Sequence, residues 1–536
     1  MAKRTWMSLL LLVILIFQST ISTPLTSTSE SSRTITWQND YSIVQYALPD
    51  NSSVPISIAV SPNGTVWVLE QAANKLVAFN PLNRRFTTYP IPTSNSFPLS
   101  VAVDKSGNVW FTELNGEKLG YLDPTSGNIA EYPIPGINVS VYGLSQRIPC
   151  GPAAIAFDKA DNVWLACLFS NQIDEFISAE HEFVSFNLPV FQSGPSALLV
   201  TDSGLWFSAA DANMLGYADF NALVPNSSAG ITEFSPLNKS YLYTFSHPTS
   251  FLGGYENLTS SLPTPTSIAS SSNGSVLWIT EHVDNSFDSY NVQTKVLDKF
   301  WLSKTNGTFG YAYAFPNYIH PDASGNLWIA EHYGNKIAIF SPSQMSLIEL
   351  KVPCCSSDIA GAYTGALDWQ GNFWFVESNA AAIGEVIKGN SSSVLTAQVS
   401  TTNIAIHYGG YVSVPITYSL QSGKSLNLLF DVSGITPDGN LQNITAQFNQ
   451  SRIQIVAGKE ASLQLTFHDT GLKPGRYYLT VSAISSNAVY SFIMSMQAEG
   501  MQTLSLSSSV LLSAALTLIS VSLVYIAIRL HRRRMV

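Results

Sequence analysis

The sequence predicts an all-β protein: a seven-bladed β-propeller, then an immunoglobulin-like β-sandwich, then one C-terminal transmembrane helix. Three observations carry this prediction. A hairpin unit that carries a tryptophan recurs along the first two thirds of the chain. Short alternating strands without tryptophan follow it. A long uncharged apolar run stands near the C-terminus.

The repeat unit is clearest where two copies are compared directly. Residues Pro55–Glu70 and Pro98–Glu113 each contain a short apolar strand, a turn with glycine and a second strand that carries tryptophan. Two further strands follow in each unit, which makes a four-stranded blade. The tryptophan recurs at Trp67, Trp110, Trp164, Trp206, Trp278, Trp328 and Trp374. All-β units with a period above ~40 residues are typical of propellers, so seven tryptophans predict seven blades.

The last unit stops after its third strand, Ile383–Lys388, and the missing fourth strand matches a segment that precedes the first unit. Residues 41–49 have the fourth-strand pattern, so we predict that they pair with blade 7 and close the ring. Closure removes exposed sheet edges. The propeller is predicted over residues 35–389.

Residues 393–497 predict a different β module, an immunoglobulin-like sandwich that acts as a stalk between the propeller and the membrane. Pro474–Val481 resembles a late strand of such a sandwich, in which a tyrosine ties a corner. A carbohydrate-binding module is the alternative interpretation.

The two ends predict a single-pass protein of the cell membrane. Residues 1–22 have the order of a secretory signal, and a Ser/Thr-rich spacer covers 23–34. Residues 504–528 are apolar and long enough to span a bilayer. The basic tail at 529–536 predicts a cytoplasmic C-terminus, with the propeller and stalk extracellular. An uncleaved N-terminal anchor is the alternative to the signal peptide. Eleven Asn-X-Ser/Thr sequons fit an exported glycoprotein.

Composition narrows the function classes. The net charge is −10, and lysines and arginines do not cluster before the tail, which argues against nucleic acid as a partner. Four cysteines in 536 residues exclude a small disulfide scaffold.

The repeat resembles a known family. The pattern at Pro98–Pro135 and Gly325–Ile339 is similar to the seven-bladed virginiamycin B lyase (streptogramin lyase) family, and more loosely to gluconolactonase-like and NHL-repeat propellers. The resemblance implies opening of a lactone ring by elimination, with a histidine base and magnesium. At the family's two histidine positions this sequence has Asn317 and Tyr363. The family's late-blade glutamate has a counterpart in Glu377, one residue out of register.

A glutamate stands three residues after the tryptophan in five blades, at Glu70, Glu113, Glu281, Glu331 and Glu377. Carboxylates arranged in a ring can hold Mg²⁺ or another divalent cation, and Glu281 and Glu331 are the metal candidates. The competing interpretation is a structural pair in each blade, because Lys75, Lys118 and Lys336 each lie five residues after their glutamate.

His282 and His332 follow two of these glutamates and are predicted at the same face of neighbouring blades. They are candidates for a metal site or a displaced catalytic base. The catalytic candidates are therefore Glu331, His332 and Glu377. Solvated loop histidines are the alternative interpretation.

The cysteines predict one disulfide. Cys150 precedes the first strand of blade 3 and Cys167 ends its second strand, so both are expected at one end of the blade. Cys354 and Cys355 are adjacent, and their pairing stays open.

Long insertions precede blades 3, 5, 6 and 7, at 136–151, 238–262, 303–315 and 354–362, and all of them rise from one face. Their aromatic residues predict a ligand-binding cup. The ligand-binding candidates are Asn317, Tyr363, Glu281, His282, Tyr311, Tyr313, Tyr241 and Tyr243. Packing of the loops on each other is the alternative interpretation.

We therefore expect a membrane-anchored, lyase-like propeller that binds a small molecule, glycan or surface protein on its loop face. The alternatives are a metal-assisted C–O lyase or lactone hydrolase, and a structural envelope protein.

Overall fold

The computed structural model describes residues 32–141, 144–235, 264–282, 284–304, 314–353, 360–423, 425–436 and 440–500. These residues form 38 β-strands and no helix, so no helix within them is long and apolar enough to cross a membrane. The predicted signal peptide, transmembrane helix and basic tail lie outside the described residues and stay predictions.

Seven antiparallel sheets repeat along residues 55–399, and the first five have four strands each. Blade 1 contains β2 (Pro55–Val60), β3 (Val66–Glu70), β4 (Lys75–Asn80) and β5 (Arg85–Pro90). Blade 2 contains β6 (Pro98–Val103), β7 (Val109–Glu113), β8 (Lys118–Asp123) and β9 (Asn128–Pro133). The insertion after it forms the hairpin of β10 (Ile137–Val141) and β11 (Leu144–Ile148). Blade 3 contains β12 (Pro152–Phe157), β13 (Val163–Cys167), β14 (Gln172–Ile177) and β15 (Glu182–Asn187). Blade 4 contains β16 (Pro195–Val200), β17 (Gly204–Ala209), β18 (Met214–Asp219) and β19 (Ile231–Phe234). Blade 5 contains β20 (Pro265–Ser270), β21 (Val276–Glu281), β22 (Ser286–Asn291) and β23 (Leu297–Trp301).

Blades 6 and 7 belong to larger sheets. Blade 6 contains β24 (Pro316–Pro321), β25 (Leu327–Glu331), β26 (Lys336–Ser341) and β27 (Ser346–Lys351). Blade 7 contains β28 (Ala362–Leu367), β29 (Phe373–Glu377) and the first part of β30 (Ala382–Val399). Its outer strand is β1 (Arg33–Ala47), whose residues Tyr41–Ala47 pair with Lys388–Ala382. The N-terminal segment therefore closes blade 7, as the sequence predicted.

The innermost strands form a ring. Each of β2, β6, β12, β16, β20 and β24 contacts the innermost strand of the next blade, and β28 contacts β2 to complete the circle. The seven repeat tryptophans are all buried between blades. These contacts establish the predicted propeller.

The turn between the first two strands explains the repeat motif. In blade 2, Trp110 Nε1 donates a hydrogen bond to Asp104 Oδ2 at 3.1 Å, and Asn108 Nδ2 donates to the same oxygen at 3.0 Å. The same bonds recur in blades 3, 6 and 7 with Asp158, Asp322 and Asp368. Asp, Asn and Trp at these spacings thus fix the tight hairpin of these four blades.

The C-terminal module consists of two sheets. Its strands are β31 (Asn403–His407), β32 (Tyr411–Leu420), β33 (Leu426–Ser433), β34 (Ile444–Phe448), β35 (Arg452–Ile455), β36 (Glu460–Asp469), β37 (Gly475–Ile484) and β38 (Ala488–Glu499). The two sheets face each other across one apolar core. Tyr477 Oη donates a hydrogen bond to Lys473 O at 2.9 Å, so this tyrosine is bound to the backbone four residues earlier. Assignment to the immunoglobulin-like class stays a prediction.

The module is continuous with the propeller rather than attached by a linker. The boundary predicted at 389–393 lies inside β30, whose residues 395–399 pair with both β1 and β32. On the neighbouring blade, β27 pairs with β38. Blades 6 and 7 and the module consequently share one apolar core, so two sheets bridge the stalk and the ring.

Candidate functional site

One face of the ring presents the residue that follows each second strand. In blades 5, 6 and 7 its N–H donates to the carbonyl just before the first strand: His282 to Thr264 O at 2.8 Å, His332 to Phe315 O at 3.1 Å, and Ser378 to Gly361 O at 3.0 Å. The equivalent positions in blades 1 to 4 make the same bond and hold Gln71, Leu114, Leu168 and Ala210. The backbone hydrogen bond is thus repeated in all seven blades, whereas the two histidines and the serine are confined to three adjacent blades.

A second ring of positions lies at the entrance of the first strands. In all seven blades the pairing of the first strand slips at the residue after its opening Pro or Ala, and such bulges re-aim a side chain. The residues there are Ile56, Leu99, Ala153, Ser196, Thr266, Asn317 and Tyr363. They are apolar in blades 1 to 3 and polar in blades 4 to 7, a gradient that single motifs do not reveal.

In blades 5 to 7, side chains from these two sets of positions lie close together. We call the following five the histidine cluster: His282, His332, Ser378, Asn317 and Tyr363. The imidazoles stack with ring centroids 6.2 Å apart. His332 also contacts the Tyr363 ring edge-to-face at 4.8 Å, and its Nε2 lies 3.4 Å from Ser378 Oγ. Asn317 Nδ2 donates to Tyr363 O at 3.3 Å.

Aromatic neighbours line the cluster. The His332 ring lies 4.3 Å from that of Tyr333, which in turn lies 5.0 Å from the ring of Phe315. The Phe315 ring lies 5.3 Å from His282. Sequence reasoning did not select Tyr333, although it directly follows a candidate histidine. The result is an aromatic site with a few polar atoms, which is typical of ligand pockets.

The two histidines are neutral at physiological pH. Burial lowers the pKa of His282 to about 4, and a backbone hydrogen bond at Pro316 only partly opposes this. Burial and the neighbouring His282 lower the pKa of His332 to about 3. Their Nδ1 atoms are buried and have no hydrogen-bond partner among the described residues.

The predicted metal ligands Glu281 and Glu331 are both fully buried, and each lies near a lysine of its own blade. Glu331 Oε2 lies 3.0 Å from Lys336 Nζ, which also pairs with Glu349 on β27. Burial opposes the charge of Lys336, but these two carboxylates outweigh it and raise the pKa of the ammonium. Burial raises the pKa of Glu281 well above its usual range, and the charge of Asp288 raises it further, against the charge of Lys299. The structural interpretation therefore accounts for Glu331 through a direct ion pair, whereas the lysine of blade 5 pairs with Asp284 and Asp288.

Within the residues that the structure describes, the direct Glu–Lys pair predicted for each blade is found in blade 6 only. Lys75 instead pairs with Asp50 at 2.8 Å, and Lys118 pairs with Glu131 at 2.6 Å. The glutamate and the lysine do lie opposite each other on adjacent strands, as their spacing predicted. The lysine ammonium nevertheless pairs with a different carboxylate, which lies in the preceding loop in blade 1 and on the fourth strand in blade 2.

Glu377, the predicted counterpart of the family's late-blade glutamate, is bound by the closing strand. Gln45 Nε2 on β1 donates to its two carboxylate oxygens at 2.9 and 2.8 Å. Burial raises the pKa of Glu377 to about 7, and this hydrogen bond partly offsets the rise. Its carboxylate is thus tied to the ring-closing strand, and its catalytic role stays a prediction.

The histidine cluster does not fit the magnesium ion that the family resemblance implies. Mg²⁺ prefers carboxylate and phosphate oxygens, whereas the cluster offers imidazoles, an amide and hydroxyls. Among the described residues, a single group of three potential metal-ligating side chains lies close enough together, and it is Cys150, Cys167 and Asp174 in blade 3. We therefore derive no step through a metal at the cluster.

Two further groups of predicted residues have different outcomes. Cys150 and Cys167 form a disulfide in the structure. The cup residues Tyr241, Tyr243, Tyr311 and Tyr313 lie outside the described residues, as do Cys354 and Cys355, so their placement stays a prediction.

Comparison with known proteins supports the propeller. A sequence model of the virginiamycin B lyase family matches residues 26–148, which contain β1 and blades 1 and 2. No curated protein matches this sequence.

Three solved structures illustrate the structural similarity. A streptogramin B lyase superposes with a TM-score of 0.51 at 21% identity, covering 65% of this chain and 97% of the lyase. A virginiamycin B lyase from Staphylococcus aureus gives 0.50 at 22% identity, with 65% and 99% coverage. A gluconolactonase from Xanthomonas campestris is more distant, with 0.36 at 10% identity over 65% and 90% of the two chains. The predicted resemblance is thus confirmed: the first two blades match the virginiamycin B lyase family in sequence, and the ring has the propeller fold of streptogramin lyases.

Proposed function

We propose that this protein is a cell-surface, membrane-anchored propeller that binds a small molecule or glycan at the histidine cluster without opening a lactone ring. One observation carries the proposal. Asn317 and Tyr363 occupy the family's histidine positions, and the Asn317 amide is tied to the Tyr363 carbonyl at 3.3 Å. The two residues at the family's catalytic positions are therefore hydrogen-bonded to each other and line the site.

The two histidines and the tyrosine of the histidine cluster are poor bases for an elimination. A general base works best with a pKa near the operating pH, and the pKa values of His282 and His332 lie at about 4 and about 3. Burial raises the pKa of Tyr363 above its usual value, so its phenol stays protonated.

The same cluster is well suited to binding. Its rings offer apolar faces at little entropic cost. Asn317 Oδ1 is buried and has no partner among the described residues, so a ligand that donates a hydrogen bond would satisfy it. A ring-containing ligand with a hydroxyl or amide donor matches this combination.

A binding and turnover assay tests the proposal. The full-length protein in detergent micelles is incubated with a streptogramin B antibiotic and, separately, with a glycan array. We expect retention of a ring-containing probe, a loss of at least ~10-fold in affinity in Asn317→Ala, and no ring-opened antibiotic by chromatography. Leu99→Ala, at the equivalent position of blade 2, is the control. Equal binding by both variants would place the ligand elsewhere.

A gain-of-function variant tests the assignment of the two positions. Asn317→His combined with Tyr363→His should introduce ring opening, because a positioned base is worth ~10²–10⁴-fold in rate. Leu99→His should introduce none. Failure of the double variant, with its fold intact, would show that the missing histidines are not what limits the chemistry.

Surface display rests on the signal-like N-terminus, the apolar run at 504–528 and the basic tail. A protease added to intact cells should degrade the propeller and leave the tail protected. Protection of the propeller would reverse the proposed orientation.

A metal-assisted lyase is the second candidate. The contact between His332 and Tyr363 favours it, because this histidine lies beside one of the positions that match the family's histidines. Magnesium-dependent ring opening by the unmodified protein, abolished in His332→Ala, would put this function first.

A further inference from the structure

Blade 3 departs from the acid–lysine pattern of the other blades. Cys167 stands where blades 1, 2, 5, 6 and 7 have glutamate, and Gln172 faces it where blades 1, 2 and 6 have lysine. Asp174 is two residues further along the same strand and has no exposed surface. The blade therefore has a buried carboxyl group but not the lysine that faces the repeat glutamate in blades 1, 2 and 6.

Asp174 lies against the disulfide. Its carboxylate and the sulfur atoms of Cys150 and Cys167 all lie within 4.8 Å of one another, and all three residues are fully buried. Neither carboxylate oxygen has a hydrogen-bond partner of ordinary geometry among the described residues. Burial raises the pKa of Asp174 to about 7, and Ser185 on the next strand offsets only part of this rise.

Blade 5 has a buried aspartate at the equivalent position, and a lysine neutralises it. Asp288 has the same position in β22 as Asp174 has in β14, two residues after the start of the strand. Its carboxylate pairs with Lys299 Nζ at 3.2 Å, and Asp284 pairs with the same ammonium at 3.3 Å. In blade 5 a cation neutralises the buried acids, whereas in the described part of blade 3 no side-chain cation pairs with Asp174.

We propose that reduction of the Cys150–Cys167 disulfide creates a site for one thiophilic divalent cation, of the Zn²⁺ class, with Cys150, Cys167 and Asp174 as its ligands. Two thiolates and a carboxylate are a ligand set that Zn²⁺ accepts, and three protein ligands leave one coordination position open. The thiolates disfavour Mg²⁺ and Ca²⁺.

The chemistry balances with a dithiol reductant. The reductant gives two electrons, the S–S bond breaks, and the reductant becomes a disulfide while Cys150 and Cys167 become thiols. Binding of the cation then releases the two thiol protons to solvent. The cation takes the place that the lysine ammonium has in blade 5, so the blade has two alternative cross-links, one covalent and one metal-mediated.

Cobalt titration tests the proposal, because Co²⁺ reports thiolate ligands by its sulfur-to-metal charge-transfer absorption. The full-length protein in detergent micelles, with Cys354→Ser and Cys355→Ser to remove the other thiols, is reduced with a dithiol and separated from it. We expect one equivalent of Co²⁺ bound, with charge-transfer absorption that Zn²⁺ displaces. The oxidised protein should bind none.

Asp174→Asn separates the carboxylate ligand from the thiolates. The change is isosteric and should preserve the fold, while the affinity for Co²⁺ falls at least ~10-fold and the absorption bands shift. Zn²⁺ should also raise the melting temperature of the reduced protein and not that of the oxidised one. The proposal is overturned if the reduced protein binds no Co²⁺, if it unfolds on reduction without recovery by Zn²⁺, or if Asp174→Asn binds as tightly as the parent.

Discussion

Blades 1 and 2 and blades 6 and 7 have the same repeat but different surroundings. The outer strands β5 and β9 are largely exposed, whereas β27 is buried along five of its six residues because β38 pairs with it. A repeat therefore determines how a blade folds, and the neighbours of the blade determine how its polar groups behave.

The lysine pairs show this difference at matched positions. Lys118 and Glu131 in blade 2 have side-chain exposures of 28% and 12%, whereas Lys336 and Glu349 in blade 6 have 6% and 0%. The first pair is partly hydrated, and the second is an ion pair inside the protein. Loss of one partner is therefore expected to matter far more in blade 6.

The face that holds the histidine cluster differs in the same direction. Ile56 and Leu99 line the entrance in blades 1 and 2, and Asn317 and Tyr363 line it in blades 6 and 7. The polar chemistry thus lies on the side of the ring that the C-terminal module supports.

The largest expected effect follows from removal of β1. Deletion of residues 33–47 removes the outer strand of blade 7 and also the strand that pairs with residues 393–399 of β30. It also removes the buried side chains of Ile35 and Trp37, and a buried tryptophan alone is worth ~3–5 kcal/mol. We expect loss of cooperative thermal unfolding. Deletion of residues 23–31 is the control. A full melting transition in the longer deletion would show that the ring closes without β1.

The next effect compares two lysines. Lys336→Met leaves Glu331 and Glu349 buried without their ammonium, so unfolding free energy should fall by ~3–5 kcal/mol. Lys118→Met, at the matched position of blade 2, should cost no more than ~1 kcal/mol. Denaturant midpoints at neutral pH measure both. Equal losses would contradict the claim that the C-terminal module makes the blade 6 pair a buried one.

The third effect is a pH dependence of the unfolding free energy that comes from the two histidines of the histidine cluster. The folded pKa values of His282 and His332, about 4 and about 3, lie below the unfolded value. Their contribution to stability is therefore complete above pH ~6.5 and is lost as the pH falls towards the folded values. At pH 5.5 the two together should have lost at most ~3 kcal/mol.

The measurement is a difference between proteins, because burial raises the pKa of Glu70 and Glu113 to about 7 and gives the opposite slope. Unfolding free energy of the parent minus that of His282→Gln/His332→Gln should decrease from pH 6.5 to pH 5.5. His181→Gln, in a turn of blade 3, is the control. A pH-independent difference would mean that the two imidazoles are hydrated.

The smallest effect compares two equivalent positions on the face. Ser378 Oγ donates to Gly361 O at 3.1 Å and lies beside His332, so Ser378→Ala should cost ~1 kcal/mol. Gln71→Ala in blade 1 should stay within ~0.5 kcal/mol. Calorimetric melting measures both. A loss of stability in Gln71→Ala that exceeds the loss in Ser378→Ala would contradict the difference between blade 1 and blade 7.

The propeller was predictable because its sequence motif makes hydrogen bonds within a single hairpin. Asp104, Asn108 and Trp110 bond within one hairpin, so their spacing alone reports a blade. The closing strand was also predictable, since residues 41–49 have the pattern that blade 7 lacks. Blade 4 has neither the aspartate nor the asparagine of this turn, yet it forms the same sheet, because neighbouring blades bury its Trp206.

The candidate site was predictable only in part. His282 and His332 stood out because each follows a repeat glutamate, and the structure stacks them together. Their contact with Tyr363 and Ser378 depends on the packing of adjacent blades, for which the sequence has no local signal. The metal interpretation of Glu281 and Glu331 stays a prediction, to which the structure adds that Glu331 pairs with Lys336 at 3.0 Å and that Glu281 lies near Asp288 and Lys299.

The sequence by itself therefore determined the number of blades and their hairpins, since these depend on hydrogen bonds and alternation within short segments. It also indicated the strand that closes the ring, because residues 41–49 have the fourth-strand pattern that blade 7 lacks. Only the tertiary structure decided that β27 pairs with β38 and that β30 runs through the predicted domain boundary. Such pairings join strands far apart in the chain, and the free energy that selects them comes from the shared apolar core of blades 6 and 7 and the C-terminal module. The same burial turns one lysine pair of the repeat into an ion pair inside the protein.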